Sequence, residues 1–426
     1  MKSLLTVLLA LPLFLSSPAS AQQELVEHII DVDNVGNPMP IALPKAVGDA
    51  AGVEMLAVIE RDLSLTGYFD LIDRAAYLEK DKGPAPGDFE FGPWRTINTV
   101  VLAKTRVTRD GDKLTADVYV YDVGTGDKLA GKRFSGSVDQ TRYLGHKIAD
   151  AIVFAVTGES GFFGSRVLAI GTRTGNKEVY VMDIDGRGVI PITRNGSINL
   201  SPTWSPNQNE VAWTSFKRGN PDAYIKDLKS GRTRVLSNKP GLNSGAAYSP
   251  TGSQVAITRT ANGDADIYVL DPSNGQQLKR ITKGGGIDVA PAFNPAGTQL
   301  AFASERSGGS QIYVQDIASG NASRVTMQGS WNGDPVWSPD GSKIVFVGRD
   351  KNFDIFVVDV ASKKMHRITQ NQGDNEDPSF SPDGRYIVFS STRNGTSEIW
   401  MSDALSGKHQ VKISQKGNWY QPVWSP

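Results

Sequence analysis

The chain has 426 residues with 45 basic and 45 acidic side chains, a formal net charge of zero, and no cysteine. Disulfides, thiolate nucleophiles and a Cys-linked lipid anchor are therefore excluded. The basic residues form no polybasic run, which argues against nucleic acid or an anionic membrane as partner.

Residues 1–21 read as a secretory signal peptide. Lys2 supplies a basic start, Leu4 to Leu15 an apolar run, and Ala19-Ser20-Ala21 an A-x-A cleavage site. The mature chain is then expected to begin at Gln22. No later run approaches membrane-spanning length, so direct membrane insertion is not expected. A bacterial periplasm fits best, where a long core replaces cross-links.

Residues 22–157 form the first domain and show no repeat. They carry 15 Lys+Arg and 21 Asp+Glu, a net charge of −6, against +5 for residues 158–426. Gln22 to Asn37 is a polar, acidic tail with apolar residues at Val26, Ile29 and Ile30. Ile41–Pro44 reads as a strand. Val53, Leu56, Ile59 and Leu63 follow helical spacing, with Gly67 placed as a C-cap. Phe69–Ile72 is a short strand and Lys82–Pro93 a Gly/Pro-rich loop. Val100–Val107, Thr115–Tyr121 and Leu129–Phe134 read as strands. Gln140–Val156 reads as a helix with Leu144, Ile148, Ile152 and Ala155 on one stripe. Helices among a few strands predict a small α/β domain. Residues 158–165 are a Gly-rich linker.

Residues 166–426 repeat. Six copies of an apolar or aromatic residue followed by Ser-Pro, once Asn-Pro, end at Pro206, Pro250, Pro295, Pro339, Pro382 and Pro426, spaced by 44, 45, 44, 43 and 44 residues. That period suits one four-stranded propeller blade. After each Pro come a turn, an apolar strand such as Ile344–Val347, an alternating strand such as Ile312–Asp316, and a short strand such as Arg324–Thr326. The first unit lacks a Ser-Pro strand, and the chain ends on a spare one, Gln421–Pro426. The expected fold is thus an α/β N-terminal domain plus an all-β six-bladed propeller whose C-terminal strand closes the first blade. Closure removes an open edge that would otherwise template aggregation.

Catalytic and metal motifs are missing. His28, His146, His366 and His409 include no pair at metal-ligand spacing, and His146 reads as structural or surface. No G-x-S-x-G, P-loop or dinucleotide fingerprint occurs. Asp31-Val-Asp33 and Asp183-Ile-Asp185-Gly186 lack the position-twelve Glu of a calcium loop and read as turn residues. No cofactor, metal or catalytic residue is expected.

The segments before each Ser-Pro strand differ from one another. If that strand is innermost, they form loops crowding one mouth of the central channel: Asn199-Leu200-Ser201, Leu242-Asn243, Asp288-Val289-Ala290, Trp331-Asn332 with Asp334, Asn375-Glu376-Asp377, and Trp419-Tyr420-Gln421. Unlike loops on a regular scaffold are where binding is placed. Trp and Tyr are interface anchors, and carboxylates suit a cation or basic side chains. The bland alternative has the Trp residues plugging the channel and the acids merely solvated.

The mature chain also resembles the TolB family of bacterial Tol–Pal systems. The resemblance is carried by Asn37–Pro44 (NPMPIALP), Arg61–Asp70 (RDLSLTGYFD), Tyr143–Asp150 (YLGHKIAD), and Val156-Thr157-Gly158 with Phe162–Val167. It implies a non-enzymatic periplasmic adaptor that supports outer-membrane integrity and cell division. Its propeller mouth would bind Pal, the peptidoglycan-associated outer-membrane lipoprotein, and bacteriocins of the colicin type would use the same mouth. The tail Gln22, Gln23, Glu24, Leu25, Val26, Glu27, His28, Ile29, Ile30, Asp31, Val32 and Asp33 would bind TolA, an inner-membrane protein. Leu242-Asn243 stands where the family pattern has His-Asn, and Val289-Ala290 where it has an acid before the Pro. An extended apolar tail suits strand addition, and mouth ligand can shift tail packing only through differing affinity for the two states. The other readings are a propeller hydrolase or lyase using the channel acids, and a glycan receptor stacking sugar on the mouth aromatics.

Overall fold

The computed structural model describes residues 38–79, 82–261, 263–284 and 286–426. The tail Gln22–Asp33 and the signal segment lie outside the described residues.

The N-terminal domain is one mixed sheet with two helices on one face. Met39–Ala42 runs parallel between Phe69–Leu71 and Val101–Asp110, and the sheet continues antiparallel through Lys113–Asp122 and Lys128–Ser137. Helix α1 (Ala51–Thr66) ends on Gly67, whose φ of 73° supplies the left-handed cap that only Gly adopts without strain. The short helix α2 spans Gly92–Thr96, and α3 spans Thr141–Thr157. Met55, Leu56, Ile59 and Leu63 of α1 and Leu144, Ile148 and Ile152 of α3 are buried in the same core. Val53, expected on that stripe, is 75% exposed. It sits in the first turn, where Gly52 and Met55 take the inward positions. The Gly/Pro-rich stretch is irregular but not loose. Phe89 and Trp94 are buried with Tyr77 against Leu102 and Tyr121 on the sheet's other face.

Six four-stranded antiparallel sheets follow. Blade 1 is Trp419–Trp424 paired with Arg166–Gly171, then Glu178–Asp183 and Ile190–Pro191, so the last strand of the chain is the innermost strand of the first blade. Blades 2 to 6 begin with inner strands Asn199–Trp204, Asn243–Tyr248, Asp288–Phe293, Trp331–Trp337 and Asn375–Phe380. The second strand of each blade is a continuous apolar run, and its centre is buried on both faces: Leu168, Ala212, Ile257, Phe302, Phe346 and Phe389 are 0% exposed. Such strands need no polar alternation because neighbouring blades cover both sides.

The N-terminal domain docks on the end of the propeller where the Ser-Pro turns lie. Tyr386 Oη donates to Thr66 O at 3.1 Å, Arg385 Nη2 to Ser160 O at 2.7 Å, and Arg61 Nη2 to Lys412 O at 2.7 Å. His409 Nε2 lies 3.0 Å from Leu65 O, a contact that His366 does not share. Trp424, Tyr386 and Phe162 pack in one aromatic cluster, so the two cores are continuous. The opposite end of the channel faces away from this domain.

Candidate functional site at the propeller mouth

Each inner strand carries a β-bulge at the same place. The ladder shifts register between Leu200 and Thr203, Ser244 and Ala247, Val289 and Ala292, Gly333 and Val336, Glu376 and Ser379, and Tyr420 and Val423. One residue in every bulge is left-handed: Ser201 (φ 49°), Gly245 (65°), Ala290 (53°), Asp334 (51°), Asp377 (55°) and Gln421 (49°). Only one is Gly, and a left-handed non-Gly residue costs about 1–2 kcal/mol. A bulge bends the strand and re-aims its side chain. All six residues line the central channel, which encloses about 620 Å³. That space suits an inserted segment and is too small for a folded domain.

The segments expected as loops are therefore strand. Asn199, Asn243, Asp288, Asn332, Asn375 and Trp419 are at most 1% exposed. The four Asn side chains fasten one blade to the next, whereas Asp288 is held by Arg306 of its own blade and Trp419 by the connection from blade 6. Asn199 Nδ2 donates to Lys177 O and Glu178 Oε2, Asn243 Nδ2 to Pro221 O, and Asn332 Nδ2 to Gln311 Oε1. Asn375 Nδ2 donates to Asp354 Oδ1, Arg306 Nη2 to Asp288, and Trp419 Nε1 to Gln415 O. All six, expected at the mouth, are buried with their polar groups satisfied and serve as internal clamps in this structure. Leu200, Ser201, Leu242, Val289, Ala290, Trp331, Glu376, Asp377, Tyr420 and Gln421 are half-buried, and Asp334 is exposed. Trp331 does not plug the channel. Its ring packs edge-on to Phe353 and over Gly333, where a Cβ would lie 2.4 Å from the indole.

Asp334, Glu376 and Asp377 come from two adjacent blades and repel one another. Water reaches Asp334, yet the surrounding strands encircle it; this enclosure, and then Asp377 and Glu376, push its carboxyl up to about 7. Burial, then Asp377 and Asp374, raise Glu376 to about 6. Burial also raises Asp377, opposed by Ser390 Oγ and the Gln421 N–H, each donating at 3.2 Å. Lys177 attracts Asp377 from further off, its ammonium lying 4.8 Å from the Tyr420 ring centre.

Two apolar mouth residues escaped the sequence reading. Ile198 and Ile287 are 49% and 45% exposed. With Leu242 they hold equivalent posts, since the carbonyls of Ile198, Ile287 and Leu242 accept from the N–H of Phe216, Glu305 and Thr260, at or just past the end of the second strand. Their equivalents on blades 6 and 1 are Asp374 and Asn418, which accept from Thr392 and Thr172 N–H. The signal was an Ile directly before each buried clamp.

A second charged cluster lies at the domain junction. His146 Nδ1 is 2.7 Å from Asp62 Oδ2, and His146 Nε2 is 3.7 Å from Asp183 Oδ2. His146, Asp183 and Asp185 are close enough to surround a cation. Arg142 already fills that role, its Nη2 donating to Asp183 and Asp185 at 3.0 and 2.8 Å. Asp183 and Asp185 are thus junction residues as well as turn residues.

Comparison with known proteins agrees with this architecture. Residues 154–426 match the family described as TolB beta propeller domain, and residues 29–129 the TolB amino-terminal domain. The Tol-Pal system protein TolB of Syntrophotalea carbinolica is 36% identical over 213 residues, 50% of each chain. That of Geobacter sulfurreducens is 34% identical over 209 residues, 48% of each. The chain spans about half the length of the curated relatives it matches. The crystal structure of TolB from Acinetobacter baumannii superposes with a TM-score of 0.83 at 26% identity, covering 92% of this chain and 97% of that one.

Proposed function

This chain belongs to the TolB family, whose named members are Tol-Pal system proteins and not enzymes, and on that premise we propose that it is a periplasmic adaptor with two partners. The propeller mouth binds a Pal-like outer-membrane lipoprotein, and the segment Gln22–Asp33 binds a TolA-like inner-membrane protein. By holding both, the chain links envelope layers, supports outer-membrane integrity and serves constriction at division. Among the described residues, no helix is long and apolar enough to cross a membrane.

The observation that carries this reading is the mouth. Six equivalent left-handed posts hold Ser201, Gly245, Ala290, Asp334, Asp377 and Gln421. A purely structural ring would repeat one residue type. Unlike residues on a repeated scaffold discriminate between ligands. The mouth also lies opposite the docked domain, so one partner there leaves the other end of the molecule free. Pro38 leads into Met39–Ala42, a strand paired on both sides, so a segment bound upstream pulls directly on the domain core.

The test is capture from an envelope extract by immobilised mature chain. Recovery of a Pal-like lipoprotein, lost when the mouth is altered, and of a TolA-like protein, lost when residues 22–33 are removed, is the expected result. Recovery of neither overturns the proposal.

A further inference from the structure

The mouth is polar on one side and apolar on the other. Ile198, Leu242, Ile287 and Trp331 occupy the rim of blades 2, 3, 4 and 5 in unbroken order. The corresponding residues of blades 6 and 1 are Asp374 and Asn418. The carboxylates Asp334 and Glu376 belong to blades 5 and 6, where the apolar arc ends. Neither forms an ion pair among the described residues; enclosure first, and then neighbouring carboxylates (Asp377 and Glu376 for Asp334, Asp377 and Asp374 for Glu376), holds each carboxyl above its ordinary range.

The geometry points to one kind of occupant: an extended segment of the mouth partner that lays apolar side chains on the arc and sets a Lys or Arg between Asp334 and Glu376. This rests on the mouth being a partner site and adds which chemistry it selects. Two physical arguments support it. Like carboxylates crowded at the mouth cost free energy that a cationic side chain relieves. Exposed aliphatic side chains along a rim give binding energy only to a ligand that covers them. A basic segment without apolar residues would leave the arc wet, and an apolar one would leave the carboxylates uncompensated. The segment is extended because the channel is narrow and walled by six strands.

The probe is the unlipidated soluble domain of the Pal-like lipoprotein from the same envelope, titrated calorimetrically against the full mature chain at low and high salt. The double variant Asp334→Asn/Glu376→Gln is expected to weaken binding by about tenfold or more and to flatten its salt dependence. Ile198→Ser/Ile287→Ser is expected to weaken it by about tenfold with the salt dependence kept. Leu405→Ser, an exposed apolar residue of blade 6 at the turn end, is expected to change nothing. If wild type binds and both double variants stay within about twofold of it, the segment chemistry is wrong while the mouth remains the partner site. Absence of wild-type binding removes the partner site itself, and this inference with it. Unchanged thermal unfolding of each variant confirms that folding is not the cause.

Discussion

His146 donates or accepts at 2.7 Å with Asp62, and the two side chains are buried where α1, α3 and the first blade meet. Arg142, Asp183 and Asp185 complete the cluster, and Asp62 Oδ1 and His146 Nε2 have no hydrogen-bond partner. A domain junction held this way is an ionic device inside an apolar core, so its strength depends on which groups carry protons.

Stability is expected to fall as pH rises across this junction. Burial alone would depress His146, but the carboxylates of Asp183 and Asp62 outweigh it and push the imidazole from 6.5 up to about 9. Its contribution is whole below about 6.5 and lost as pH rises through about 9. Burial pushes Asp62 from 3.8 to about 7, so this acid also favours the folded state most at low pH, over a lower window. Calorimetry should give a lower Tm at pH 9 than at pH 6. In a His146→Gln variant that alkaline step should shrink, while its Tm at neutral pH drops because Asp62 loses its partner, at a cost of about 3–5 kcal/mol. An equal alkaline step in both proteins contradicts the assignment.

Closure of the ring is expected to dominate propeller stability. Trp424 is 3% exposed, donates to Ser165 Oγ at 2.6 Å and meets Phe162 at 5.3 Å between ring centres. Trp424→Ala should cost about 3–5 kcal/mol. Deleting residues 421–426 should lower the melting temperature further, because Arg166–Gly171 becomes an open edge. An unchanged Tm after deletion refutes closure by the terminal strand.

The left-handed ring should discriminate sharply among substitutions. Ala290, at φ 53°, is expected to accept Gly with a change within about 1 kcal/mol. Ala290→Val should destabilise by more, since a β-branched residue tolerates this backbone poorly. Chemical denaturation of the two variants side by side measures the difference; equal stability would mean the bulge is not constrained.

Gly333→Ala is expected to expel the Trp331 ring, because the new Cβ would lie 2.4 Å from it. The cost should be about 1–3 kcal/mol. A red shift and increased quenching of Trp fluorescence would report the displaced indole, and an unchanged spectrum would count against the packing.

Much of this protein was written in periodicity. The Ser-Pro spacing set the blade count, and the unpaired first and last units set the closure. Those are local patterns, and a period of one blade survives any error about a single residue. Leu144, Ile148 and Ile152 likewise announced a buried helix face, whereas Val53, one turn too early, did not obey it. The surface of the site was another matter. Asn199 and Ser201 are two residues apart, and in sequence both read as mouth residues. The first lies in the regular ladder and is buried as a clamp; the bulge that begins after Leu200 turns the second into the channel. A bulge arises from the mismatch between two paired strands, so no single strand announces it. The pairing of His146 with Asp62, 84 residues away, exists only once two helices pack and a propeller docks on them. Repetition along the chain therefore determined the architecture. Which side chains meet, which are sealed off and which are left facing water was decided by three-dimensional packing, because burial and charge are properties of neighbours in space.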